Sequence, residues 1–246
     1  MANGATIVRF GGTVVFKARD EYGLIEVVEN RTLRKLHFDS PIEQSCQFRH
    51  APMTLNFEYQ QTMLAQLSDH YYQQPKSAGY RILMLGMGGG IMATHLHHTL
   101  PKVHITIVEL RELVIEVAYR YFQLPQVPEI ESVQADAIAF IAELAQACQT
   151  QKALGYDGIL VDLFDAQGLP AELCAQAFHQ QLAECVKPGG RLLYNLWNRL
   201  EANQQKTPTE ETAQILTHLQ ALPRKVRQRQ DLLMHSTSNL VVCLDF

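Results

Sequence analysis

Two aspartates stand three residues apart at the end of an apolar run, in the segment LVDLFDAQG. If this run is a buried strand, Asp162 and Asp165 lie at the mouth of a pocket. Two neighbouring carboxylates repel each other, favour a bound cation and can act on a proton. Asp165 has a second interpretation, because it could begin the loop or cap the next helix. The segment therefore predicts a site for a cationic or proton-donating ligand.

These aspartates are not interpreted as metal ligands, because no third ligand is evident. His95, His97 and His98 fall on a different predicted helix and are interpreted as surface or packing residues. The five cysteines are odd in number and form no CxxC pair, which argues against a disulfide framework and a structural zinc site. We expect a reduced chain without a metal cofactor.

A glycine cluster, GMGGG at residues 86–90, follows the apolar run RILML. Glycines allow a backbone to turn tightly beneath a ligand, and the amides of the following helix can point at that ligand. A dinucleotide fingerprint would have glycine or alanine at position 91, where this chain has Ile91. The candidate contacts are Gly86, Gly88 and Gly89. An interpretation as a tight turn alone stays open.

Two further acids end predicted strands. Glu109 could accept both hydroxyls of a ribose, or it could be the acid near a helix N-terminus. Asp136 could accept from an adenine amino group, or it could cap the helix that follows it. Together with the glycines, these acids suggest an adenosine-containing ligand, and nothing in the sequence requires a pyrophosphate.

A parallel sheet would bring these residues together. From Tyr80 onward, strand-like runs alternate with helical stretches, which is typical of a parallel α/β sheet covered on both faces. The runs are RILMLG, HITIVEL, ESVQAD, DGILVDL and GRLLYNLW. After a helix at about 209–222, KVRQRQDLL and NLVVCLDF are too close for a crossover helix and are predicted to form an antiparallel hairpin at the sheet edge. The basic stretch RKVRQR, residues 224–229, is interpreted as strand with a solvated face rather than as a phosphate site.

The N-terminal region has a different pattern. The short alternating runs TVVFKARD, GLIEVVEN and LRKLHFD predict a small antiparallel sheet. An amphipathic helix over residues 57–73 and the linker QQPKSAG follow it. We therefore predict a β-domain at 1–55, a connecting helix and linker at 56–79, and a nucleoside-binding domain at 80–246.

Composition limits the class of protein. The chain has 246 residues, of which 47% are hydrophobic and 19% charged, enough for one large globular domain or a main domain with a small annex. The net charge of -4 and the scattered basic residues give no electrostatic footprint for nucleic acid. No apolar run approaches 18 residues, and the N-terminus lacks a leader pattern. We expect a cytoplasmic protein that binds neither nucleic acid nor membrane.

The order of these motifs resembles the spermidine synthase family, whose catalytic half has the class I methyltransferase fold. The resemblance rests on GxGGG, the acid after strand two, AD after strand three, YDGILVDxxD, GLPAEL and KPGGRLL. It also includes YGLIEVVEN, RTLRKLHFD and FEYQQTM in the N-terminal region, so that it covers about residues 14–200. The fold class expected is a Rossmann-like sheet, mostly parallel, with a small N-terminal antiparallel β-domain.

The resemblance implies roles for particular residues. The nucleoside site would be lined by Gly86, Gly88, Gly89, Glu109, Asp136 and Asp162. Asp162 would also accept the proton of an incoming amine, and Asp165 would hold that substrate's far ammonium. Tyr59 and Gln60 match the family's YQE segment and would face the amine pocket.

Three positions depart from the family pattern. Gly89 stands where the family's GGGDG loop has aspartate, Gln61 stands where YQE has glutamate, and Asn195-Leu196-Trp197 replaces a glutamine-containing segment. In the family, the loop aspartate lies near the ammonium tail of decarboxylated S-adenosylmethionine. With glycine there, we expect ordinary S-adenosylmethionine to bind at least as well as the decarboxylated form.

Three functions remain open at this point. The first is aminopropyl transfer to a small amine, the second is methylation of a small molecule by ordinary S-adenosylmethionine, and the third is a non-catalytic nucleoside-binding paralogue. The exposed edges of the small β-domain also make a homodimer an expectation.

Overall fold

The computed structural model describes residues 7–75 and 79–246 and shows an α/β protein with two sheets. Residues 1–6 of the predicted β-domain and 76–78 of the predicted linker lie outside the described residues. Within the described part of the chain, no helix combines the length and apolar character needed to cross a membrane.

The N-terminal sheet is antiparallel, with its strands in chain order. Its five strands are β1 (Val8–Arg9), β2 (Gly12–Asp20), β3 (Gly23–Glu29), β4 (Leu33–Phe38) and β5 (Glu43–Phe48). β2 alternates between exposed and half-buried side chains, as expected for a strand with one solvated face. β5 is not among the runs singled out from the sequence, because EQSCQF lacks apolar alternation.

The larger unit is a sheet flanked by helices, and helix α1 (Glu58–Gln73) leads into it. Its strands are β6 (Tyr80–Leu85), β7 (Val103–Glu109), β8 (Ile130–Gln134), β9 (Tyr156–Val161), β10 (Val186–Leu200), β11 (Lys206–Pro208), β12 (Gln228–Leu233) and β13 (Asn239–Asp245). Its helices are α2 (Ile91–Thr99), α3 (Glu112–Tyr121), α4 (Ala137–Thr150), α5 (Gln176–Glu184) and α6 (Glu210–Gln220). The predicted alternation of strands and helices from Tyr80 onward is thereby confirmed.

The strand order of the main sheet is β12-β13-β10-β9-β6-β7-β8, and the five strands from β10 to β8 are mutually parallel. The chain first builds β6, β7 and β8 outward, then crosses back to place β9 on the other side of β6. β6 and β9 therefore flank the point where the strand order switches. In such sheets the ligand crevice lies at this point, outside the carboxyl ends of the strands.

The C-terminal hairpin prediction is confirmed, since β12 pairs antiparallel with β13 and β13 pairs antiparallel with β10. The prediction that residues 224–227 are strand is wrong, because β12 begins only at Gln228. Arg224 lies in the preceding turn, where its guanidinium donates to the carbonyls of Ala183 and Val186 and stacks over Phe246. The guanidinium thus binds one carbonyl in the last turn of α5 and one at the start of β10.

The core is divided between the two faces of the main sheet. Ile82 and Met84 of β6 pack with α1, α2 and α3, whereas Leu83 and Leu85 pack with α4, α5 and α6. Successive side chains of a strand point to opposite faces. A strand covered on both faces must therefore be apolar at every position, which is why RILML is a continuous run.

Besides apolar packing, the N-terminal sheet contacts the main unit through polar groups at the glycine loop and at the C-terminal end of α3. The Ser45 hydroxyl of β5 accepts a hydrogen bond of 2.7 Å from the Gly89 amide. The Gln47 side chain donates to the Phe122 carbonyl at 3.0 Å. These contacts fix β5 above the turn that follows β6.

We expect Ser45→Ala to lower the free energy of unfolding by about 1–3 kcal/mol, because the Gly89 amide is left buried without an acceptor. Chemical denaturation measures the change. Ser40→Ala is the matched control, since its hydroxyl also accepts a backbone amide, that of Ile42, but at an exposed turn where water can replace it. Equal losses in both variants would contradict the assigned role of Ser45.

Candidate functional site

A cavity of about 780 Å³ lies at the carboxyl ends of the parallel strands. Gly86 follows β6 and Asp162 follows β9, so the cavity spans the switch point of the sheet. β5 and the β2–β3 turn of the N-terminal sheet cover it from the other side, through residues such as Gln44 and Tyr22. A cavity of this size is typical of small-molecule sites.

Gly86 and Gly88 line the cavity, and both positions require glycine. Gly86 has a φ of 91°, and a Cβ there would lie 2.2 Å from the Asp162 carbonyl oxygen. Gly88 has a φ of 52°, and its Cβ would lie 2.7 Å from the Ser45 hydroxyl. A side chain at Gly86 would strain the backbone and separate the ends of β6 and β9, whereas a side chain at Gly88 would displace Ser45 of β5. Gly86 therefore keeps the two strand ends together beneath the cavity, and Gly88 lets β5 lie close to the loop.

Gly89 does not line the cavity. A Cβ at this position would lie 2.8 Å from the Phe122 ring, which is fully buried. The structure thus places Gly89 in the packing between the loop and Phe122 and, contrary to expectation, not at the cavity. An aspartate at this position would have to displace Phe122 before it could reach a ligand.

Glu109 lines the cavity and binds the glycine loop. One carboxylate oxygen accepts from the Met87 amide at 3.1 Å, and the other accepts from the Arg111 amide at 3.0 Å. Burial raises the pKa of Glu109, although the two amide hydrogen bonds and the Arg111 charge oppose this rise. The carboxylate retains lone pairs that can face a ligand.

Asp136 fits both of its interpretations. It caps α4, because one carboxylate oxygen accepts from the Ala139 amide at 2.8 Å. The residue also lines the cavity, next to Glu109 in strand order. Its other carboxylate oxygen is thus available to a ligand while the cap is kept.

Asp162 is the centre of a hydrogen-bond network inside the cavity. Its Oδ2 accepts from the Tyr59 hydroxyl at 3.2 Å, and its Oδ1 accepts from Asn195 Nδ2 at 2.7 Å. Asn239 Nδ2 donates in turn to Asn195 Oδ1 at 2.9 Å. Burial raises the pKa of Asp162, and its two hydrogen bonds oppose that rise. The result is a carboxylate held in one orientation, with a pKa above the usual range.

Tyr59 and Gln60 of α1 have different positions. Tyr59 lines the cavity, and burial together with the Asp162 charge raises the pKa of its phenol, which keeps the phenol protonated as a donor. Gln60 is buried beneath it and does not line the cavity; its Nε2 lies 3.4 Å from the Tyr59 hydroxyl. Gln60 therefore supports Tyr59 and, contrary to expectation, does not face the amine pocket.

Asp165 lies at the exposed rim of the cavity. Its Oδ1 accepts from the amides of Gln167 at 2.6 Å and Gly168 at 2.9 Å. The alternative that Asp165 organises its own loop is thus what the structure shows, because an aspartate that accepts from following amides forms a local turn. A role in holding a far ammonium stays a prediction.

Asn239 is not predicted from the sequence, and Asn195 and Trp197 stand out there only as departures from a family pattern. All three line the cavity, at the ends of β10 and the start of β13. The predicted hairpin was the signal that could have indicated Asn239. A strand that pairs antiparallel with β10 starts at the carboxyl end of β10, so its first residues lie at the cavity. His95, His97 and His98 lie on α2, as predicted, and do not line the cavity.

A family model described as the spermine/spermidine synthase domain matches residues 57–217, well over half of the chain. The chain belongs to this family. The matched region includes the glycine loop, Glu109, Asp136 and the Asp162 network up to Asn195, but it ends before Asn239.

Individual relatives of the family are distant. The chain is 29% identical over 175 residues to the polyamine aminopropyltransferase of Chromobacterium violaceum, covering 71% of this chain and 62% of that protein. It is 30% identical over 128 residues to an eEF1A lysine and N-terminal methyltransferase homolog of Drosophila melanogaster, covering 49% of this chain and 18% of that protein. The crystal structure of a probable spermidine synthase from Corynebacterium glutamicum has the same fold, with a TM-score of 0.73 at 18% identity over 94% of this chain and 80% of that one. The chain thus spans less than two thirds of the first curated relative.

We expect Glu109→Gln to weaken binding of methylthioadenosine at least tenfold, measured by calorimetry. A charge-assisted hydrogen bond contributes about 1.5–3 kcal/mol, and the amide side chain also loses one of the two acceptors that hold the loop. Glu112→Gln, three residues further on and exposed, is the matched control and should bind like the wild type. Unchanged affinity in a folded Glu109→Gln variant would place the nucleoside elsewhere.

Proposed function

We propose that the protein transfers an aminopropyl group from decarboxylated S-adenosylmethionine to a small amine. The observation that carries this proposal is the half-buried Asp162 carboxylate. Tyr59 and Asn195 hold it by hydrogen bonds, on the other side of the switch point from Glu109. A reactive carboxylate beside a nucleoside-sized cavity is the arrangement that such a transfer needs. The membership of the chain in the spermine/spermidine synthase domain family supports it.

The strand order divides the cavity into two halves. The nucleoside half is formed by Gly86, Gly88, Glu109 and Asp136 at the ends of β6, β7 and β8. The acceptor half is formed by Asp162 with Phe57, Tyr59, Phe164, Asn195, Trp197 and Asn239. In this proposal Glu109 accepts from the ribose hydroxyls and Asp136 accepts from the adenine amino group. The sulfonium then lies near the boundary between the halves.

The chemical step joins the amine nitrogen to the aminopropyl carbon beside the sulfonium. The new C–N bond forms as the C–S bond breaks, and the electron pair of the C–S bond returns to sulfur, leaving neutral methylthioadenosine. A primary amine has an ordinary pKa of about 10.4, so at neutral pH it arrives protonated and cannot attack. Asp162 accepts or relays that proton, and its raised pKa makes it a stronger base than an exposed carboxylate.

A second candidate is methyl transfer from ordinary S-adenosylmethionine. The similarity to the Drosophila methyltransferase homolog, 30% identical over 128 residues, is the observation that favours it. Both candidates use the same nucleoside half and differ in the group that leaves sulfur. The glycine at position 89 does not bear on this choice, because its Cβ position faces Phe122 and not the cavity.

Product analysis separates the candidates. The protein is incubated with each cofactor and a panel of primary amines, and the products are identified by mass spectrometry. Aminopropyl transfer adds C3H7N to the amine and releases methylthioadenosine, whereas methyl transfer adds CH2 and releases S-adenosylhomocysteine. Aminopropylated amine is the expected result. Methylated amine only would establish the second candidate, and tight nucleoside binding without either product would reject both.

We expect Asp162→Asn to reduce turnover at least a hundredfold while methylthioadenosine binds within threefold of the wild type, because the amide keeps the shape but cannot take a proton. The exposed Asp69→Asn on α1 is the control. Turnover within threefold of the wild type would exclude Asp162 as the proton acceptor.

The same variant should be at least as stable as the wild type at pH 7. Burial raises the pKa of Asp162 in the folded protein above its value in the unfolded chain. Between these two pKa values the folded protein binds more protons than the unfolded chain, so stability falls as the pH rises through this range. Asparagine carries no charge, so it removes the loss of stability that the buried charge causes at pH 7. Thermal melting at pH 7 and pH 4 tests it: the advantage of Asp162→Asn should be present at pH 7 and shrink at pH 4. A clearly lower melting temperature at pH 7 would contradict the assigned cost.

A further inference from the structure

We propose that the acceptor is a primary monoamine with an aromatic body, and that the protein discriminates against aliphatic diamines. This inference rests on the proposed function, because it takes the acceptor to be an amine. It follows from the charge and the shape of the acceptor half.

The acceptor half offers one negative charge. Asp162 ends β9, and the neighbouring strands β10 and β13 bring Asn195 and Asn239 to the cavity. These two amides are neutral, and they are linked to each other and to Asp162 by hydrogen bonds of 2.9 and 2.7 Å. Of the described residues that form this half, Asp162 alone carries a carboxylate. It balances one ammonium.

The other acids that line the cavity lie in its nucleoside half, are already paired, or stand at its exposed rim. Glu109 and Asp136 belong to the nucleoside half, on the far side of β6. Glu43 is paired with Lys35 at 2.6 Å. Asp165 and Glu172 are exposed on the loop after β9, where water screens a charge pair.

Glu58 lies between Phe57 and Tyr59 in the sequence, but its carboxylate binds the turn between β12 and β13. Its carboxylate accepts from the amides of His235 at 2.9 Å and Ser236 at 2.7 Å. It therefore fixes the turn between β12 and β13 and does not add a charge to the cavity wall, which it does not line.

The walls of the acceptor half are aromatic. The Phe57 and Tyr59 rings stack at 5.8 Å with an interplanar angle of 18°. The Phe164 and Trp197 rings meet edge to face at 6.3 Å. Trp197 faces the cavity and is 37% exposed, so a ligand would cover apolar surface that the protein itself leaves open.

An aromatic monoamine matches this arrangement group by group. Its ammonium pairs with Asp162, and its ring lies among the aromatic side chains in the offset or edge-to-face geometries that rings favour. A diamine of similar length would instead bring its second ammonium against rings and neutral amides. Desolvation of that charge is costly without an anionic partner.

Calorimetry on the full chain saturated with methylthioadenosine tests the inference without requiring turnover. The probes are 2-phenylethylamine, 1,4-diaminobutane and propylamine. We expect 2-phenylethylamine to bind at least tenfold more tightly than either aliphatic amine. Equal or tighter binding of 1,4-diaminobutane would overturn the inference, and so would the absence of binding by 2-phenylethylamine.

A charge added to the wall should reverse the preference. We expect Trp197→Glu to lose at least tenfold in affinity for 2-phenylethylamine and to gain affinity for 1,4-diaminobutane, a gain that an unfolded or loosened protein would not show. Leu200→Glu is the matched control, because Leu200 lies on the same strand, is 51% exposed and does not line the cavity. An unchanged preference in Trp197→Glu would remove Trp197 from the acceptor wall and overturn the inference.

Turnover with decarboxylated S-adenosylmethionine distinguishes the two proposals. Preferential aminopropylation of 1,4-diaminobutane would support the proposed function and overturn the inference on the acceptor. Selective binding of 2-phenylethylamine without any group transfer would support the inference and reject the proposed function. Preferential aminopropylation of 2-phenylethylamine would support both.

Discussion

The close approach of two strand ends is the constraint on which the site depends. β6 and β9 are neighbours in the sheet, and the backbone after β6 passes so near Asp162 that a Cβ at Gly86 would lie 2.2 Å from the Asp162 carbonyl oxygen. Only glycine fits there, and its positive φ turns the chain at once into the loop before α2. This one contact places the start of the glycine loop beside Asp162. The two halves of the cavity are adjacent for that reason.

The N-terminal sheet completes the site from above. Arg111, which is buried, donates to both oxygens of Asp20 at 3.0 and 2.8 Å and to the Gly23 carbonyl, and its guanidinium stacks over Phe38. The backbone amide of the same residue binds Glu109. A buried ion pair contributes less to stability than its geometry suggests, because both charges lose water. This ion pair instead fixes position, since it joins the β2–β3 turn to the strand end that carries Glu109.

The polar network and the aromatic walls have different roles in the acceptor half. Asn195 donates to Asp162, and Asn239 donates to Asn195. Neither residue adds a charge, so the carboxylate is oriented while its raised pKa is kept. Phe164 and Trp197 supply apolar surface at the same place. Family membership predicts a nucleoside beside an acceptor. The neutral amides around Asp162, which set the charge of the acceptor half, are a feature of this particular chain.

The sequence alone determined the order of elements, the hairpin at the sheet edge and the acids at strand ends, because these depend on apolar periodicity and on local turn residues. It could not decide which of those residues face the cavity. Gly89 faces Phe122, Gln60 lies behind Tyr59, and Asp165 binds amides of its own loop. It also could not bring Asn239 to Asp162, since residues so far apart meet only when β13 pairs beside β10. Strand neighbours and side-chain directions are set by packing of the whole sheet, and only the tertiary structure decided them.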